Sequence, residues 1–222
     1  MRTVIFDLDG TLADTSKDLL EAANACFREL GHDDPLTDAD SAVAVRGGRA
    51  MLRLAFDRLG GPWDEGMVNR EYPELLRHYE TRIDTHTVLY PGAMEAVAEL
   101  GRRGIGVGIC TNKPEALAQL LLSRLGVRDA FGSLVGADTL AVRKPDPEAL
   151  FVAAERAGGL RHRALLVGDT VTDRDTARAA GVPCALVTFG PGGRSVEELE
   201  PEALLERFED LPDVAERLLG AA

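Results

Sequence analysis

Five short apolar runs, each ending in small or polar residues, constrain the fold of this chain more than any other feature. They are Thr3–Phe6, Gly106–Cys110, Leu134–Gly136, Ala164–Val167 and Cys184–Val187. Runs this short, and apolar throughout rather than alternating, fit strands buried on both faces. Helical patterns separate the later ones: Pro114–Leu125 ended by Gly126, Pro147–Ala157 ended by Gly158, and Asp173–Ala180 ended by Gly181. Strand alternating with helix builds right-handed βαβ units, so the spacing predicts an α/β fold whose parallel sheet is covered on both faces. The tetrapeptide Pro-Glu-Ala-Leu occurs at Pro114, Pro147 and Pro201. The unequal intervals argue against a repeat, and proline followed by an acid predicts a helix start at each. Ser195 with Glu198 reads as a capping box opening an acidic helical tail.

One interval breaks the alternation. From about Thr15 to Asp84 the periodicity is helical, with candidate helices at Ser16–Leu30, Asp38–Ala44, Arg49–Leu59 and Asp64–Ile83, the last expected to kink or split at Pro73. Gly31, Gly47-Gly48 and Gly60-Gly61-Pro62 punctuate them. The boundaries that follow are a core of residues 1–14 and 86–222 with a helical insertion at 15–85. Trp63 is the expected anchor of the insertion's own core.

The net charge of −12 opposes phosphate backbones and anionic membranes, so neither nucleic acid nor a membrane surface is an expected partner. Three widely spaced cysteines make neither a disulfide framework nor a zinc signature. No signal-peptide pattern follows Met1 and no apolar run reaches the length of a membrane span. A cytoplasmic protein is the expectation, with monomer and homodimer both open.

In open parallel sheets ligands bind beyond the carboxyl ends of the strands. The residues directly after the apolar runs are Asp7-Leu8-Asp9-Gly10-Thr11, Thr111-Asn112-Lys113, Lys144-Pro145-Asp146 some residues on, and Gly168-Asp169-Thr170-Val171-Thr172-Asp173. Four aspartates at one sheet edge would repel one another unless a cation holds them. Oxygen ligands without histidine or cysteine favour Mg²⁺ over zinc, and Mg²⁺ suits phosphoryl transfer. Lys144 is placed to neutralise a phosphoryl group or an attacking carboxylate, and Thr111 to donate to a phosphoryl oxygen.

Taken together, Asp7-Leu8-Asp9-Gly10-Thr11-Leu12, Thr111-Asn112, Lys144-Pro145 and Gly168-Asp169-Thr170-x-x-Asp173 resemble the four motifs of the haloacid dehalogenase-like hydrolase superfamily. The resemblance spans the chain and implies a Rossmann-like parallel sheet core with an inserted α-helical cap. It implies Asp7 as the nucleophile that forms an aspartyl-phosphate and Asp9 as the acid, then the base. Thr111 and the backbone amide of Asn112 are implied to hold phosphoryl oxygens, and Lys144 to orient Asp7. Mg²⁺ is implied on the Asp7 carboxylate, the Asp9 carbonyl and Asp169, with Asp173 acting through water or by positioning Lys144.

Within the superfamily, a dehalogenase needs neither Asp9 nor the Asp169/Asp173 pair, and a phosphonatase needs a cap lysine, whereas no lysine lies between Asp18 and Asn112. Tyr90-Pro91-Gly92 and Thr111-Asn112-Lys113-Pro114 are similar to phosphoglycolate phosphatases and their relatives, which implies a small phosphomonoester as substrate, 2-phosphoglycolate first. A pyrophosphatase, a nucleotidase and a sugar-phosphate mutase stay open, as does a non-catalytic phosphate-binding protein. In the cap, Arg46 and Arg49 of Arg46-Gly47-Gly48-Arg49 are the candidates for reading a substrate carboxylate or second phosphate.

Overall fold

The computed structural model describes residues 1–220, and the end of the expected core segment at residues 221–222 lies outside them. The elements run β1 (Thr3–Phe6), β2 (Ala13–Asp14), α1 (Ser16–Glu29), α2 (Ser41–Ala44), α3 (Gly48–Leu59), α4 (Glu65–Thr81), β3 (Val88–Leu89), α5 (Ala93–Arg102) and β4 (Gly106–Cys110). There follow α6 (Glu115–Arg124), β5 (Ser133–Val135), α7 (Pro147–Arg156), β6 (Ala164–Gly168), α8 (Val171–Ala180), β7 (Cys184–Val187), β8 (Ala203–Leu205) and α9 (Leu211–Leu219). The chain divides into two units, one of Met1–Ala13 with everything from Leu89 onward, the other Asp14–Val88. The short strands β2 and β3, at the two crossings between units, make a separate two-stranded sheet.

The first unit is built on a six-stranded sheet in the order β5-β4-β1-β6-β7-β8, and every pair described is parallel. All four residues of β1 are buried, as are all of β6 and β7. That is why these strands read as unbroken apolar runs. On one face Ile5, Val135, Leu166 and Leu186 pack with Leu150, Ala153 and Ala154 of α7 and Ala177 of α8. From β1 the chain winds through β4 to β5, then returns across β1 to β6, so the order reverses at β1. Phe6 pairs with Ile109 on one side and Val167 on the other. The loops after β1, β4 and β6 therefore leave the sheet side by side, at the switch point where such sheets bind ligands.

The tail corrects two expectations. A 3₁₀ segment, Gly193–Leu199, occupies the expected capping box, with the Ser195 hydroxyl donating to Gly192 O at 2.7 Å. Pro201 precedes a sixth strand, β8, not a helix. Proline at a strand's start costs no ladder bond, and pairing with β7 outweighed the local helix preference. Helix α5 went unread: Ala93, Ala96, Val97 and Leu100 are its buried stripe.

The second unit is helical. On α1, Leu20, Ala23 and Phe27 are buried; so are Met51, Leu52 and Phe56 on α3, and Val68, Leu75 and Tyr79 on α4. Phe27 meets Phe56 edge-on at 4.9 Å, and the half-buried Trp63 stacks on Phe56 at 6.1 Å. Helix α4 runs unsplit through Pro73. The one intrahelical bond lost there is outweighed by the apolar side chains buried on both sides of it. Gly47, with φ +100°, opens α3 in a backbone region a side chain would strain.

A buried carboxylate closes this unit on itself. Asp18, near the start of α1, accepts the backbone N–H groups of His86 (2.9 Å) and Thr87 (2.8 Å) and the Thr87 hydroxyl (2.8 Å). Asp18→Ala takes this acceptor from the two N–H groups and leaves the Thr87 hydroxyl only its 3.2 Å bond to Ile83 O, so a loss of about 2–4 kcal/mol in denaturant unfolding is expected. Faster amide exchange at His86 and Thr87 should accompany it, and Asp18→Asn, which keeps one acceptor oxygen, should fall between. Unchanged stability in Asp18→Ala would contradict this account.

Candidate active site

The loop after β1 begins with Asp7, whose N–H donates to Val167 O of β6 at 2.8 Å. Its carboxylate Oδ1 lies 3.0 Å from Nζ of Lys144, and Nζ donates to Oδ1 of Asp173 at 2.6 Å. The far oxygen of Asp173 accepts from the N–H groups of Asp169 (3.2 Å) and Thr170 (3.1 Å) and from the Thr170 hydroxyl (2.6 Å). Thr170 thus caps α8 and aims Asp173 at Lys144 in one step. Gly168 makes room for this: a Cβ there would sit 2.3 Å from Cγ of Asp173. Thr11 donates its hydroxyl to Oδ1 of Asp169 at 2.8 Å.

The loop after β4 brings the remaining groups. Thr111 is buried, and its hydroxyl accepts the Lys113 N–H at 3.2 Å. The Asn112 side-chain amide donates to the Lys144 carbonyl at 3.0 Å, fixing the lysine's backbone. Lys113 reaches Asp9, its Nζ 2.8 Å from Oδ1. Asp7, Asp9, Thr111, Asn112, Lys144, Asp169 and Asp173 therefore share one edge of one sheet. Arg46 and Arg49 belong to the helical unit. Arg49 donates to Asn69 and lies over the Tyr72 ring at 4.3 Å. Arg46 is exposed, and no side-chain partner for it occurs among the described residues.

Three contributors escaped the sequence reading: Lys113, Thr11 and Thr170. One signal could have found Lys113. Asp9 and Lys113 each stand three residues beyond the ends of neighbouring parallel strands, Phe6 and Cys110.

Charge is concentrated here on buried side chains. Burial pushes the Asp7 carboxyl up to about 6; the Lys144 ammonium opposes the rise, and Asp173 and Asp9 add to it. Burial, then the charges of Asp173 and Asp7, hold Asp169 well above the usual carboxylate range. Burial alone would lower Lys144, but Asp173 and Asp7 hold it above an ordinary lysine, fully charged. Cys110, under the same edge, is pushed up to about 12 by burial and stays an inert thiol.

A hard cation fits this donor set. Among the described residues Asp7, Asp169 and Asp173 each offer an oxygen, all within 4.8 Å of one another. Oδ2 of Asp169 is buried with no hydrogen-bond partner, and Oδ1 of Asp7 has the Lys144 ammonium nearby but no hydrogen bond. Orphaned carboxylate oxygens this deep are costly unless a positive charge meets them. With no histidine or sulfur in the group, the preference is for an oxygen-loving divalent ion.

Residues 1–181 match the haloacid dehalogenase-like hydrolase family, and the chain belongs to it. Within that class the resemblance narrows. A phosphoglycolate phosphatase of Mesorhizobium japonicum is 42% identical over 99% of this chain and 97% of its own. Another from Agrobacterium fabrum is 36% identical, over 98% and 95%. The crystal structure of a predicted phosphoglycolate phosphatase from Haemophilus somnus superposes with a TM-score of 0.83, covering 96% of this chain and 97% of the other at 21% identity, a likeness of fold. No helix among the described residues is long and apolar enough to cross a membrane.

Proposed function

We propose that this protein is a Mg²⁺-dependent phosphatase that hydrolyses 2-phosphoglycolate through a phosphorylated Asp7. The observation that carries the reading is a buried carboxylate, Asp7, held beside an ammonium and two further aspartates at the switch point of the sheet. The substrate follows from the relatives of 42% and 36% identity that bear that name.

On this reading an Asp7 oxygen attacks phosphorus while Asp9 gives its proton to the departing oxygen. Asp9 then takes a proton from the water that attacks phosphorus and frees inorganic phosphate from Asp7. The Thr111 hydroxyl, whose oxygen already accepts from Lys113, donates its own hydrogen to a phosphoryl oxygen. The Asn112 backbone amide supports the same group, and Lys144 keeps Asp7 oriented and its charge balanced. Mg²⁺ would be held by the Asp7 and Asp169 carboxylates and the Asp9 carbonyl, with Asp173 orienting Lys144 behind them. When bound, it supplies positive charge against the carboxylates and the phosphoryl oxygens. The helical unit is assigned to substrate recognition as a cap, with Arg46, whose guanidinium is unengaged, preferred to Arg49 for a carboxylate.

The test is phosphate release in Mg²⁺ from a panel of 2-phosphoglycolate, pyrophosphate, sugar phosphates, nucleotides and an aryl phosphate. Turnover of 2-phosphoglycolate far above the rest is expected; a clear preference for another ester would reassign the substrate, and silence on all of them would end the phosphatase reading. Binding of the ion is separately measurable. Chelator-stripped protein should gain about 2.7 kcal/mol of stability with Mg²⁺ at a hundred times its dissociation constant. Asp169→Asn should lose most of that gain, and a full gain in that variant would remove Asp169 from the metal site.

A further inference from the structure

Only three of the 25 lysines and arginines in this chain are lysine, and both in the α/β unit are buried against aspartates of the first loop. Lys144 stands on Asp7, and Lys113 on Asp9 at 2.8 Å, with side chains only 4% and 14% exposed in the second pair. Among the described residues nearly all the other ion pairs are made by arginine, mostly at exposed positions. Burying an ammonium is expensive, and an apolar side chain of similar size would serve packing as well or better. The Lys113 backbone is also anchored on both sides: its N–H donates to the Thr111 hydroxyl at 3.2 Å, and its carbonyl accepts from Ala137 N–H at 2.9 Å. At the other end, the backbone of Asp9 is fixed by a bridge to Ala13. That bridge does not fix the direction of the Asp9 carboxyl, and the Lys113 ammonium, 2.8 Å from its Oδ1, is a cation placed to orient it.

We propose that Lys113 is a positioning residue that aims the Asp9 carboxyl at the leaving oxygen of the phosphate ester. The inference rests on the phosphatase reading. As the bond from Asp7 oxygen to phosphorus forms, the bond from phosphorus to the leaving oxygen breaks and the Asp9 proton passes to that oxygen. Lys113 holds the carboxyl along that line and faces the negative charge left on Asp9 afterwards. Its effect must therefore depend on how much the leaving group needs a proton. An alkoxide needs one; 4-nitrophenolate does not.

The experiment compares first-turnover release of glycolate from 2-phosphoglycolate with that of 4-nitrophenolate from 4-nitrophenyl phosphate, by rapid quench, in wild type and Lys113→Met. Restricting the readout to the first turnover excludes the later hydrolysis step, which both esters share. A loss of about 10²-fold is expected for the alkyl ester and less than about fivefold for the aryl ester, the span a general acid contributes. Lys113→Arg should recover part of the alkyl rate, and adding Lys113→Met to Asp9→Asn should slow the alkyl ester no further. Equal losses on both esters, or none, would overturn the proposal. So would weaker binding of the alkyl ester with an unchanged maximal rate, which would assign Lys113 to the substrate carboxylate. A wild type that turns over neither ester sinks the phosphatase reading and this inference with it, whereas an active wild type with parallel losses sinks this inference alone. If Lys113→Met does not fold, Lys113→Gln and Lys113→Arg carry the same comparison.

Discussion

Asp7→Asn should leave a folded protein that releases phosphate at least about 10⁴-fold more slowly than wild type, with every ester affected alike. An amide of the same shape fills the same space but cannot attack phosphorus. No other carboxylate can take over. Asp173 is bound through both oxygens, to Lys144 on one side and to Thr170 and the Asp169 N–H on the other. Asp169 is held by Thr11 through one oxygen, and Asp9 is paired with Lys113. The fold should survive because Lys144 keeps Asp173 at 2.6 Å. The sign of the stability change follows from burial. An acid raised from an unfolded value near 3.8 to about 6 binds its proton more tightly in the folded chain. Between those pH values stability falls as pH rises, and above about pH 6 the whole cost is present. Asn carries no such charge. Metal-free Asp7→Asn should therefore melt no lower than metal-free wild type at neutral pH, and should show a shallower decline between about pH 4 and 6. Retained turnover, checked by mass spectrometry to exclude deamidation back to aspartate, would remove Asp7 from the chemistry.

How much of this was legible in the sequence depended on burial. Strands β1, β6 and β7 are covered on both faces, so their residues could only be apolar and the runs stood out. Strand β8 is three residues long at the edge, with one residue exposed and one half-buried, and carries no comparable pattern. Its identity comes from pairing with β7, a long-range bond to which local preference is blind. The same division runs through the site. Asp7, Asp9, Thr111, Lys144, Asp169 and Asp173 were readable because each follows a strand or lies in a loop beyond one. Thr11 looks like an ordinary turn residue until the pairing of β1 with β6 brings it against Asp169, whereas Thr170 reaches Asp173 locally, three residues on, in the capping box of α8. Lys113 carries no local signal of its own, and only the neighbouring positions of β1 and β4 bring it to Asp9.

Lys144→Met should be the most destabilising single change at this site, by about 3–5 kcal/mol, as well as inactive. The lysine is buried, and its ammonium faces Asp7 and Asp173, the latter wholly inaccessible. Methionine fills a similar volume, so packing is nearly kept and the loss isolates the charge. What remains is a group of three buried carboxylates with no ammonium among them, whose mutual repulsion is opposed only by hydrogen bonds such as those from Thr11, Thr170 and the Asp169 N–H. Two further measurements separate this cause from simple misfit. Combining Lys144→Met with Asp7→Asn removes one of the stranded charges and should restore part of the stability while restoring no turnover. Raising Mg²⁺ should stabilise Lys144→Met by at least as much as wild type, because the ion meets carboxylates that no ammonium now shares. Both follow if Lys144 is the counter-charge of the cluster. If Lys144→Met unfolds at the same denaturant concentration as wild type, or if the double variant is less stable than the single, the three aspartates are not held together by this cation, and the orientation of Asp7 must come from its N–H bond to Val167 instead.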